Sequence, residues 1–115
     1  MAVLENKLTQ KRLVENLEVA RTFWSRGKGL LGRKSLPENQ ALWIPRCNSI
    51  HTYFMKFAID CVFIDKNLKV KAVYRDVRPG RLIFPVWGAS SVIEMTSGSA
   101  EKLNISVGDQ LHVGT

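Results

Sequence analysis

Apolar positions along the chain change period several times, and the changes divide it into short elements. Residues 1–12 are polar and only weakly periodic, which predicts a loose N-terminal tail. In Leu13–Ala20, Leu13, Leu17 and Val19 stand among charges and predict a first strand. Thr22 offers a hydroxyl N-cap, and Phe23, Trp24, Gly27, Leu30 and Leu31 then fall at helical spacing. Gly27, Gly29 and Gly32 each weaken that short helix by up to ~1 kcal/mol relative to Ala, so packing must hold it. Pro37 and Asn39 mark a loop, and Ala41–Ile44 reads as a buried strand stopped by Pro45.

The second half alternates more regularly. His51–Phe57 is rich in β-forming residues. Ile59, Cys61 and Phe63 alternate with Asp60, Val62 and Ile64, as in a strand buried on both faces. Lys66-Asn67 reads as a two-residue turn, with Asn tolerating positive φ. A return strand with one wet face follows over Leu68–Arg75. Pro79-Gly80 turns the chain, and Arg81–Trp87 and Ser90–Met95 read as strands broken at Gly88. Ser97–Leu103 suits a turn or two of helix, Ser106–Asp109 a tight turn, and Gln110–Val113 a last strand. The prediction is a mostly β (α+β) fold: a small antiparallel β-barrel of about seven short strands with one or two short helices. Residues 1–12 form its flexible tail and 13–115 its single domain.

Length and composition agree with this picture. A chain of 115 residues buries roughly 65% of its unfolded surface, enough for one core without metal or disulfide support. The longest apolar stretches, such as Leu82–Trp87, fall far short of the ~20 residues a membrane helix needs. The N-terminus, MAVLENKLTQKR, has no apolar run after its charges, so the expectation is a cytoplasmic monomer with no membrane partner. Cys47 and Cys61 do not make a disulfide framework, though one bridge could be drawn between them.

Charge adds a possible partner. Of the net charge of +7, residues 1–34 carry +5, from eight Lys/Arg and three Glu. Lys7, Lys11, Arg12, Arg21, Arg26, Lys28, Arg33 and Lys34 could attract nucleic acid or an acidic partner, with Phe23 and Trp24 available to stack on bases. The same charges could simply keep the surface soluble, and the aromatic pair at helical spacing reads better as core.

Candidate chemistry concentrates in CNSIHTYFMKFAID, Cys47–Asp60. Cys47, His51 and Met55 recur every four residues and could bind a soft metal, zinc or copper(I). In a strand Cys47 and His51 sit roughly 13 Å apart, and in a helical turn about 6 Å. A shared ion therefore requires a turn at 47–51, and a closed structural site requires two more ligands. The pair could also act as nucleophile and base, with Asp60 orienting His51. No oxyanion hole or nucleophile elbow accompanies it. The bland alternative makes Cys47 and Met55 core residues and leaves His51 one local hydrogen bond. Asp60 and Glu94 lie in apolar strands and need partners, for which backbone N–H groups, Arg33 and Arg46 are candidates. GKGLLGR lacks both the Walker ending and the dinucleotide spacing, and His112 reads as exposed and inert.

Three segments in this order, ARTFWSRGKGLLGR (Ala20–Arg33), CNSIHTYFMKFAIDCVFID (Cys47–Asp65) and SVIEMTSGSAEKLNISVGD (Ser91–Asp109), resemble a widespread prokaryotic family of uncharacterised proteins, domain of unknown function 192 (DUF192). The resemblance runs from about Leu17 to Val113. Its specific part matches Cys47, His51, Thr52, Met55, Asp60 and Asp65. Ala58 stands where the family usually has proline, which loosens the local turn. Cys61 stands where valine is common, which favours a core role for that thiol. The resemblance implies a compact β-rich fold and brings no activity. The candidate functional site is accordingly Cys47, His51, Thr52, Met55, Asp60 and Arg33, with Cys47 and His51 as the metal-binding pair. The leading reading is a small binding or adaptor module without catalysis, for a macromolecule or a small ligand. The alternatives are a soft-metal or thiol site and a nucleic-acid contact through the basic N-terminal third.

Overall fold

The computed structural model describes residues 2–114, with the side chain of Phe23 excepted. Nine strands and two helices follow one another along them: β1 (Ala2–Asn6), β2 (Arg12–Val19), α1 (Phe23–Lys28), β3 (Gln40–Pro45), β4 (Ile50–His51), β5 (Ile59–Ile64), β6 (Val70–Val77), β7 (Leu82–Ile83), β8 (Ser91–Thr96), α2 (Ser99–Lys102) and β9 (Leu111–Gly114). Seven strands form one curled sheet in the order β6-β5-β8-β3-β2-β1-β9, a half-barrel. Its outer strands meet at one end, where Lys69 bridges to Gln110 and the Leu111 N–H donates to the Leu68 carbonyl at 2.9 Å. β4 and β7 form a separate two-stranded ribbon.

All pairs are antiparallel except β2–β3, which run parallel. A parallel pair needs a crossover, and here α1 and the loop to Asn39 supply it. Thr22 caps α1 reciprocally: its Oγ1 accepts the Ser25 N–H while the Ser25 hydroxyl accepts the Thr22 N–H. The helix ends at Gly29, whose φ of 53° and ψ of −128° suit glycine.

The crossover explains why the middle of the sheet is dry on both faces. The inner face packs Leu4, Val14, Ala41, Val62, Ile93, Met95 and Leu111 into the barrel. The outer face of β3, β5 and β8 carries Leu42, Ile44, Cys61, Phe63 and Val92 beneath Leu30, Leu36, Met55 and Ile83. Every residue of β5 is therefore buried.

Several expectations are corrected. The N-terminal tail is instead β1, paired on both sides, with Leu4 fully buried. Its three apolar residues suffice because β2 and β9 supply the rest of the ladder. Of His51–Phe57 only His51 is in a strand, since beyond β4 the chain turns through Phe54 at φ 66°. Arg81–Trp87 keeps Leu82–Ile83 alone: Pro85 has no N–H for a ladder, and Phe84 and Trp87 are exposed. In the β5–β6 turn Leu68, not Asn67, takes positive φ, because Asp65 Oδ1 accepts the Asn67 and Lys69 N–H groups. Trp24 lies outside the core, 79% exposed.

Candidate functional site

The alternation of β8 decides where its polar residue goes. Glu94 pairs with Cys61 and Leu42 and so points, like Cys61, to the outer face. Asp60 pairs with Met95 and points into the barrel. The two buried carboxylates lie back to back across one sheet.

Asp60 is fully satisfied. Its Oδ1 accepts the Asp76 N–H and its Oδ2 the Ala100 N–H, each at 2.8 Å. It fastens β5 to an irregular residue of β6, Asp76 at φ 51°, and to α2. It faces away from His51 and orients nothing there.

Glu94 is not satisfied. It is 4% exposed, and its Oε1 has no hydrogen-bond partner. Burial pushes its carboxyl up to about 7. Neither Arg33 nor Arg46 reaches it: Arg33 pairs with Glu18 across a neighbouring groove, and Arg46 is exposed. Instead Glu94 closes a cavity of about 220 Å³. Cys47, His51, Met55, Ile44, Arg26 and Lys28 line it with Glu94. Gly29 forms part of the roof, and a Cβ there would stand 3.7 Å from Glu94 Oε1.

The sequence-predicted residues fall into three groups. Cys47, His51 and Met55 share this cavity. Cys47 is half-buried and donates its S–H to the Ser49 carbonyl at 3.0 Å. His51 is exposed at the mouth, its ring stacked on Tyr53 with centroids 5.2 Å apart. Thr52, fully buried, stands behind the cavity as a clasp: its Oγ1 donates to the Arg78 carbonyl at 2.6 Å and accepts the Arg81 N–H at 2.9 Å. Asp60 and Arg33 lie elsewhere. Glu94 completes the set; its signal was a lone charge in the apolar run SVIEM.

Burial raises the Cys47 thiol above its ordinary range, with the Ser49 hydrogen bond opposing, so the thiolate that a nucleophile or a zinc or copper(I) ligand requires is disfavoured. Cys61, buried behind it, is raised further, and both cysteines are free. Among the described residues no three His, Cys, Asp or Glu side chains are gathered to hold a metal ion. The four-ligand set of a structural zinc is thus not assembled.

The basic residues of the N-terminal third also divide. Lys7, Lys11 and Arg12 surround the β1–β2 turn, and the other five surround α1, roughly 25 Å away along β2. Arg26 is occupied, donating from Nε to the Pro45 carbonyl at 3.0 Å and from its amino group to that of Arg46 at 3.2 Å.

This half-barrel and its cavity segment have relatives. The family model for DUF192, described as "Uncharacterized ACR", matches residues 4–113. The chain belongs to the DUF192 family. A UPF0127 protein of Thermococcus sibiricus is 33% identical over 113 residues, 95% of this chain and 73% of the relative. A Novosphingobium aromaticivorans structure of unknown function superposes with a TM-score of 0.81 at 23% identity, covering 96% of this chain and 82% of that one. A Sinorhizobium meliloti structure does so with 0.79 at 18%, covering 97% and 91%. At those identities the likeness shows the fold alone. No helix among the described residues is long and apolar enough to cross a membrane.

Proposed function

We propose that the chain is a small binding module, without catalysis of its own, whose cavity takes a compact ligand with an N–H donor at its inner end and an anionic group at its outer end. One observation carries this reading: a buried carboxylate oxygen without a partner closes a cavity that opens past a cationic rim. A buried acceptor left unpaired costs about 1–3 kcal/mol, and an ammonium or amide donor would recover that cost. Arg26 and Lys28 at the rim supply the complementary charge for the outer end. At about 220 Å³ the cavity falls below the roughly 300–1,000 Å³ of sites for drug-sized ligands. It suits an amino-carboxylate of a few heavy atoms, or one end of a longer molecule.

The test is a matched panel of glycine, β-alanine, methylammonium and acetate, titrated by NMR into wild type and Glu94→Gln. The zwitterions should bind more tightly than either single-charge probe, and Glu94→Gln should abolish the difference. Acetate binding as well as β-alanine, with Glu94→Gln unaffected, would refute the reading.

A further inference from the structure

A second recess opens on the same outer side, between β6 and the β4–β7 ribbon. It encloses about 500 Å³ and is lined by Tyr74, Arg78, Arg81, Leu82 and Phe84, with Val77 at its base. Its two aromatic rings come from separate walls. Tyr74, on β6, is held edge-on against the buried Phe63 with ring centroids 5.7 Å apart, yet stays 41% exposed. Phe84, just past β7, is 75% exposed. The ribbon explains that exposure: Ile50 and Ile83 pair and turn inward, so Leu82 and Phe84 must turn outward. Burying a phenyl ring normally stabilises a protein by about 1.5–3 kcal/mol, and this fold leaves that contribution unused.

Charge identifies the occupant. Arg78 and Arg81 line the recess, and both are exposed. Its one carboxylate, Asp76, is already engaged, with Arg78 at 3.6 Å and with the Ser97 hydroxyl at 2.8 Å. Guanidinium groups interleaved with open ring faces form a platform for a polyanion made of flat units. The surface is a recess lined by rings from two separate elements, whereas a membrane-inserting surface presents its apolar side chains on a convex one. We infer that the cleft between β6 and β7 binds single-stranded nucleic acid, stacking a base on Tyr74 or Phe84 and holding the backbone with Arg78 and Arg81. This surface is distinct from both basic groups of the N-terminal third and independent of the Glu94 cavity.

Fluorescein-labelled dT12 titrated into the full chain, followed by anisotropy, tests the inference. Wild type should bind at 50 mM salt and lose about sevenfold in affinity by 200 mM, the dependence of two phosphate contacts on a single strand. Phe84→Ala should weaken binding about tenfold at unchanged salt dependence, since stacking contributes independently of charge. Arg78→Ala/Arg81→Ala should weaken it and flatten the salt dependence, whereas Lys7→Ala/Lys11→Ala should leave the affinity within about twofold. These side chains are exposed, and circular dichroism melts would check that each variant is folded. No binding of dT12 at 50 mM salt, or binding unchanged in the arginine double variant, overturns the inference. So does capture by vesicles of anionic lipid with dT12 left unbound, which would make the surface a membrane contact.

Discussion

Asp60 and Glu94 are two buried carboxylates on neighbouring strands, facing opposite sides of one sheet. The inner one has a backbone N–H donor on each oxygen. The outer one has an oxygen with no donor and borders a cavity. Both interrupt apolar strands and both are dry, so burial alone does not separate a structural acid from a site. The supply of donors does. An acid fully saturated by its own backbone is part of the scaffold, and an acid left short marks where something else is expected to bind.

Removing the scaffold acid should have the largest effect. Asp60→Ala strands the N–H groups of Asp76 and Ala100, and at about 1–3 kcal/mol for each buried unpaired donor it should lower the free energy of urea unfolding by about 4 kcal/mol. A loss below 1 kcal/mol would erase the distinction. Glu94 should behave in the opposite sense. Its folded carboxyl is raised to about 7, above the ordinary value near 4.3, so the unfolded chain ionises first as pH rises. Stability is then highest below about pH 4.3, falls by about 4 kcal/mol as pH rises through about 7, and levels off above. Glu94→Gln should remove that decline in denaturation curves taken from pH 4.5 to 8.

Two smaller changes sharpen the same contrast. Thr52→Val keeps the shape but leaves the Arg81 N–H and Arg78 carbonyl without their clasp. It should cost about 1–2 kcal/mol and speed hydrogen exchange at Arg81 without moving the Glu94 titration. Cys61→Val exchanges one small apolar group for another beside Glu94. It should change stability by less than about 1.5 kcal/mol, which thermal melts would register as a shift of a few degrees.

Much of the fold was legible because its strands obey simple patterns. The mostly apolar run of β5 announces burial on both faces, and the alternation of β6 announces a strand with one wet face. β1 was not legible: AVLEN is five residues long, and its worth lies in partners distant in sequence. The aromatic stretch Leu82–Trp87 misled for the reverse reason, since its hydrophobicity is spent on the surface. For the site, spacing put Cys47, His51 and Met55 on one face, and all three line the cavity beside Glu94. The separation of Asp60 from Glu94 depends on register between β5 and β8, which no local pattern encodes.

The most direct test is a carboxyl ¹³C titration of Glu94 in the ligand-free protein. A midpoint near 7, moving down when a zwitterion binds, is the result expected of an unpaired buried acceptor at the end of a binding cavity. A midpoint at or below the ordinary range near 4.3 would mean that Glu94 is already paired or solvated, and the distinction drawn from Asp60 would fail.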